Sequence, residues 1–341
     1  MEPTESPYPP LPQPILTTRF GRVFAFMPDG ERLVVSGMGA ISPARMVSLA
    51  TAQNIFTFEK PLSDVGGVAV AEDGVVIAIA TRYGRVYLYD PQTGRKKQTL
   101  KAGNDGQLSG LAFAPGSHSL LHSSSGGLTG VDVNEKPTAR SLRTSSPWPD
   151  NTSYDTVAFS PLGDRFAAVW FGHSTGINIS LFSWPSGDEI SRFPCAGVED
   201  SHQYCLSQIV FSPDDRSLLL SIPDGSVTLW PLAGLEPPES GTTWIERPAA
   251  LDPERLGAGC LSFSPDGALL AYGLGNMLGL WAWPSGVCLG KWRLPGRDPM
   301  AFRLGFSSSS REVAVSRYGS GGIFVYRVAD LIGARNIHGN Q

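Results

Sequence analysis

Leu261 to Trp292 reads LSFSPDGALLAYGLGNMLGLWAWPSGVCLGKW, and the reading of this stretch organises the rest of the chain. It opens on a short apolar run, Leu261 to Phe263, followed by Ser264-Pro265-Asp266-Gly267. Proline presets φ, an aspartate carboxylate reaches the backbone amides ahead of it, and glycine accepts the positive φ that side chains resist, so the tetrad specifies a hairpin turn. A second apolar run, Leu269 to Tyr272, is broken by Gly273 and Gly275 before a third, Leu278 to Trp283. Pro284-Ser285-Gly286 supplies another turn, and Val287 to Trp292 a fourth run. Short apolar runs bounded by turn residues predict a four-stranded antiparallel meander.

The pattern recurs. The apolar residue before each first turn falls at Phe26, Val70, Phe113, Phe159, Phe211, Phe263 and Phe306, with gaps of 44, 43, 46, 52, 52 and 43 residues. The turns that follow are Met27-Pro28-Asp29-Gly30, Ala71-Glu72-Asp73-Gly74, Ala114-Pro115-Gly116, Ser160-Pro161-Leu162-Gly163, Ser212-Pro213-Asp214-Asp215, Ser264-Pro265-Asp266-Gly267 and Ser307-Ser308-Ser309-Ser310. Only the last lacks proline, acid and glycine. Units of this length that each bury one face against the next specify a closed or stacked array of seven repeats.

With these repeats in hand, the chain resembles the WD40-type β-propeller family over about Ile15 to Val328, as a degenerate member. In that family each copy is one blade, and the third strand ends in an aromatic followed by Asp. The corresponding ends are Val86-Tyr87-Leu88-Tyr89-Asp90, Ile179-Ser180-Leu181-Phe182, Val227-Thr228-Leu229-Trp230, Leu278-Gly279-Leu280-Trp281 and Ile323-Phe324-Val325-Tyr326. The aromatic is kept, the Asp stands at Asp90, and the Gly-His pair often found before the first strand is absent. The resemblance implies an all-β, seven-bladed propeller whose last blade, three strands long at Val328, is completed by a strand within Pro14 to Arg19. Closing the ring removes the open edge that would otherwise invite aggregation.

Three regions follow: a Pro-rich disordered leader over 1–13, the propeller over 14–329, and a tail over 330–341 expected to form a helical turn and then disorder. The first fourteen residues carry six prolines and no basic-then-apolar signal pattern, and no apolar run approaches the roughly 18 residues of a membrane span. A cytoplasmic protein without membrane insertion is expected. Pro9-Pro10-Leu11-Pro12 matches a polyproline ligand, but an unstructured leader is the simpler reading. All-β repeat folds of 341 residues form one core, which a 41% apolar composition can fill. A formal net charge of −4 disfavours nucleic acid. Cys195, Cys205, Cys260 and Cys288 have no metal-ligand spacing, so no cofactor or metal is expected; Cys195 and Cys205 flank one connection that an intracellular setting keeps reduced.

Gly172-His173-Ser174-Thr175-Gly176 matches the nucleophile elbow of α/β-hydrolases letter for letter. That motif requires a strand, a strained turn and a helix, whereas Phe166 to Trp170 and Ile177 to Phe182 read as the second and third strands of one blade. His118, His122, His202 and His338 lie on different copies or tails and read as loop or satisfied strand histidines.

Function then rests on departures from the repeat. In an antiparallel meander the second-to-third-strand loops and the blade-to-blade connections open on one face. The long connections are Arg143 to Tyr154, with Trp148 between two prolines; Phe171 to Gly176, with Phe171 and His173; and Phe193 to Cys205, with Glu199, Asp200, His202 and Tyr204. Aromatic and mixed-charge segments on one face suit a protein partner, while a Trp148 folded down as packing is the plain alternative. On the opposite face Pro231 to Glu246 reads as a flexible insertion. The expectation is a non-catalytic interaction scaffold, a monomeric propeller that assembles other proteins. The alternative is a propeller enzyme, a lactonase or other hydrolase, whose site would need carboxylates, His or Asn converging at the channel mouth. There the first strands offer Val23, Val68, Leu111, Val157, Ile209, Leu261 and Leu304, with Asp155 and Gln208 as polar flankers.

Overall fold

The computed structural model describes residues 8–338 except 19–20, 38–42, 60–64, 83, 102–107, 125–126, 134–137, 143–152, 173–175, 196–207, 223, 233–240, 247–258, 296–300 and 318–321. The described strands form seven four-stranded antiparallel sheets, six of which follow chain order from the innermost strand outward. The first strands are Val23–Phe26, Val65–Val70, Leu108–Phe113, Ser153–Phe159, Ile209–Phe211, Cys260–Phe263 and Ala301–Phe306 in blades one to seven. They neighbour one another in that order around the ring and line its centre. In the seventh sheet the outer position is taken by Leu16–Thr17, with Leu16 opposite Val325 and Thr17 opposite Phe324. The expected closure is therefore present. Ile15 N–H donates to the Val325 carbonyl at 2.8 Å and Thr18 N–H to that of Ile323 at 3.0 Å, while Leu16 is buried among Phe24, Leu33, Ala314 and Val325.

Turn chemistry explains why the repeats fold alike. Each first turn closes with an amide donating three residues back, from Gly30 to Met27, Gly74 to Ala71, Ser117 to Ala114, Gly163 to Ser160, Asp215 to Ser212, Gly267 to Ser264 and Ser310 to Ser307. The seventh turn keeps this geometry despite its sequence, since Ser310 takes φ 60° where Gly267 takes 73°. A neighbour supports it: the Asp266 amide donates to Ser310 Oγ at 3.0 Å. In blades five and six a buried serine, Ser212 or Ser264, donates to Asp214 or Asp266 and accepts the amide of Ser217 or Leu269. These hydroxyl bonds are the first cause holding both aspartates below the ordinary carboxylate range. Further bonds tie turn to turn around the ring, Glu72 to the Gly116 amide (2.7 Å), Asp73 to His118 (2.7 Å) and Arg165 to Asp215 (2.6 Å).

Between the blades lies the apolar core, in clusters that join neighbours, such as Ala167, Ile179 and Phe193 of blade four with Ile209, Leu218 and Trp230 of blade five. Three expectations change. The leader touches the ring before residue 14, because Pro9 and Leu11 exchange backbone bonds with Arg293, and Tyr8 and Leu11 pack on blade six and on the cluster it shares with blade seven. The tail is an eleven-residue helix, Val328–His338, anchored by fully buried Leu331. Blade five's fourth strand, Thr242–Ile245, lies within the expected insertion, where the Trp244 ring packs at a tilt against Trp283 of blade six, 5.3 Å between ring centres.

Candidate functional site

On the upper face, where first strands begin and second strands end, blade four rises above its neighbours. Its second and third strands, Arg165–Gly172 and Gly176–Ser183, run eight residues each, against six for Leu269–Leu274 and Met277–Ala282 in blade six. The extra rungs pair Phe171 with Ile177 and Gly172 with Gly176. Two residues of strand add about 7 Å of height. A polar network braces the hairpin from below: Trp170 Nε1–H donates to Ser180 Oγ at 2.9 Å and Ser180 Oγ donates to Glu189 at 2.7 Å. Arg192 forks onto the same carboxylate at 2.7 and 2.6 Å, with its guanidinium 5.3 Å from the Trp170 ring. No periodicity in the sequence marks these four residues as a group, because alternation assigns Glu189 and Arg192 simply to a polar outer strand.

Phe171, expected in a loop, belongs to the second strand, where it pairs with Ser153 and Ile177. Its strand continues because antiparallel pairing holds as far as the two glycines. Trp148, His173, Glu199, Asp200, His202 and Tyr204 lie outside the described residues. The segments that carry them are 143–152, 173–175 and 196–207, and the strands on either side attach all three to the upper end of blade four. The Gly172 to Gly176 motif is flanked by paired antiparallel strands, so the strand–turn–helix setting of a nucleophile elbow is replaced by a hairpin.

The channel mouth on this face is shaped by irregular first strands. Pairing slips between Val65 and Gly67, Leu108 and Gly110, Tyr154 and Thr156, and Ala301 and Arg303. A bulge re-aims the side chains beside it. In blade seven it sends Phe302 against the cluster of blades one and two, and Arg303 Nη2 donates to the Gly66 carbonyl of blade two at 3.2 Å. The Arg22 guanidinium lies 4.0 Å from the Phe302 ring centre and that of Arg303 5.7 Å. Burial, and after it the charge of Arg22, pulls Arg303 down to about 10. Cys260, fully enclosed nearby, is pushed up to about 12 by burial. The Gln208 side-chain oxygen accepts the Leu261 amide at 2.7 Å, joining blade five to six. Among the described residues no group of three His, Cys, Asp or Glu is placed to hold a metal ion.

No family model matches the chain. A stretch of 140 residues, 41% of the chain, is 28% identical to the "uncharacterized WD repeat-containing protein sll1491" of Synechocystis sp. and spans 38% of that relative's length. Among solved structures, the β-propeller domain of Myceliophteria thermophila Cps50 (Swd1) superposes with a TM-score of 0.71 at 13% identity, covering 91% of this chain and 97% of that one. The fold is that of a seven-bladed β-propeller. In this propeller the aromatic ends of the third strands are core: Tyr89, Phe182, Trp230, Trp281 and Tyr326 are all buried. The phenol of Tyr89 donates to the Glu59 carbonyl at 3.2 Å. Inter-blade bonds by the first turns, described above, tie the lower rim together.

Proposed function

We propose that the protein is a non-catalytic interaction scaffold, a monomeric propeller in the cytoplasm that brings other proteins together, with no nucleic acid, cofactor or metal. The observation that carries this reading is the raised hairpin of blade four, to which three long connecting segments attach on one face. A rigid ring that presents aromatic and charged residues at one edge suits a partner protein, because ordered backbone lowers the entropy lost on docking and aromatic anchors dominate interface energies. Trp148, Phe171, His173, Glu199, Asp200, His202 and Tyr204 form the proposed partner surface. Likeness to a WD repeat-containing protein over 140 residues and to a solved β-propeller domain supports this reading. No helix among the described residues is long and apolar enough to cross a membrane.

Partners are to be captured with the tagged chain from its native cell and identified by mass spectrometry. Trp148→Ala with Tyr204→Ala should weaken capture at least tenfold with the melting temperature nearly unchanged. A double variant that unfolds shows Trp148 to be packing, and one that folds and captures every partner places the surface elsewhere.

A further inference from the structure

We propose that the outer edge of blade six is a docking site for an extended segment of a partner protein that carries an aromatic and a leucine three residues apart, and that residues 8–11 of this chain cover it as a displaceable strap. The edge is Cys288–Arg293, the fourth strand of its sheet. Against it the leader runs parallel, with Pro10 opposite Arg293. The Arg293 amide donates to the Pro9 carbonyl at 2.7 Å and the Leu11 amide to the Arg293 carbonyl at 3.4 Å. This is strand addition to a sheet edge, the geometry by which an extended peptide is recognised through its backbone. Odd spacing sends two side chains of an extended segment to opposite faces, so the strap straddles the blade. Tyr8 packs on the cluster shared with blade five, and Leu11 on the cluster shared with blade seven and the tail helix.

The strap fits this edge incompletely. The bonds that close the ring begin at Ile15, so closure does not draw on residues 8–11. Those residues are held by two backbone bonds, the second of them long, and by two half-buried anchors, which offset little of the entropy lost on ordering them. Lys291 pairs with Gly279 two positions from Arg293, and alternation turns its backbone, like that of Arg293, away from the third strand. In a parallel ladder the residue that would donate to the Lys291 carbonyl is Pro9, which has no N–H. No turn or loop amide among the described residues donates to that carbonyl either. A partner segment with any other residue at this position gains a bond that the strap lacks, while the strap's advantage is its covalent attachment. A fixed structural role accounts for Tyr8 and Leu11 but not for a proline where the edge requires a donor. The inference is independent of the partner surface on blade four, and its test uses the purified chain with synthetic peptides.

The full chain and its Tyr8→Ser, Leu11→Ser double variant are each titrated into a fluorescently labelled peptide of residues 6–14, SPYPPLPQP, reading anisotropy, with melting temperatures and oligomeric state measured alongside. The double variant should bind the peptide at least tenfold more tightly than the intact chain, in which the strap competes. Within the peptide, Tyr8→Ser with Leu11→Ser should lower the affinity at least tenfold, and Pro9→Val, which supplies a donor to Lys291, should raise it at least threefold. The Pro9→Val peptide should also bind the intact chain more tightly than the unaltered peptide does, an arm that needs no substitution in the protein. A folded double variant that binds the peptide no better than the intact chain overturns the proposal, as does a Pro9→Val peptide no tighter than the unaltered one. So does a double variant that fails to fold, since the strap is then a fixed part of the ring. An intact chain that dimerises by exchanging straps overturns it too, since the occupant is then a second copy.

Discussion

His122 sits at full burial on the second strand of blade three, opposite Leu111 and Thr129. Neither ring nitrogen makes a hydrogen bond of good geometry, and burial, opposed by the Ser123 backbone, pulls its pKa from 6.5 to about 4. Between those values the unfolded chain takes up a proton that the folded chain refuses. Stability is therefore unaffected above about pH 6.5 and declines as pH falls toward 4, by a total on the order of 3 kcal/mol. Urea unfolding across pH 4 to 7 should show the decline, and His122→Leu should flatten it; an equally steep profile in that variant would place its origin elsewhere. Asp214 and Asp266 act lower on the scale, since depressed carboxylates stabilise above their unfolded values and lose that contribution as pH falls through the folded ones. The sequence reads His122 as a loop or satisfied strand histidine. Hydrogen-bond partners come from other strands and cannot be read from the strand itself.

At the scale of the element, blade four is distinguished by its brace. Ser180 is the hub, accepting from Trp170 and donating to Glu189. Ser180→Ala leaves a buried indole N–H without its acceptor, and such a loss costs about 1–3 kcal/mol. Denaturant melts of Ser180→Ala should show a destabilisation in that range, and Ser183→Ala, in an exposed turn bond with Ser186, should cost less than half as much; equal losses would show that the brace contributes nothing beyond an ordinary hydroxyl. The strands of this blade were legible as apolar runs between turn residues. Their extra length was not, because Gly172 and Gly176 read as turn residues, and their antiparallel pairing depends on how far the neighbouring strands extend.

For the whole molecule, ring closure governs stability. Leu16 is one fully buried side chain, and its burial is worth roughly 1.5–3 kcal/mol. Its strand also covers the edge of Ile323–Arg327, which would otherwise present unpaired backbone to other chains. Deleting residues 1–19 should lower the melting temperature by several degrees and promote aggregation. Deleting 1–12 should cost less, through the contacts of Tyr8 and Leu11 with blades six and seven. Differential scanning calorimetry of both truncations tests this order, and a 1–19 deletion that melts like the intact chain would rule out closure by Leu16–Thr17 as a source of stability.

What the sequence determined by itself was what repeats: seven meanders, the place of each first turn, the aromatic at five of the third-strand ends and the need for an amino-terminal strand in the last blade. These follow from local chemistry, since turn residues and alternation act over a few positions. Tertiary structure decided what joins distant positions. The docking of Tyr8 and Leu11 on the sixth and seventh blades, the anchoring of the tail helix by Leu331, and the meeting of Arg22, Phe302 and Arg303 all depend on which blades closure makes neighbours. An isolated arginine near either end of a chain carries no signal that the other will share its ring; the circle of blades brings them together.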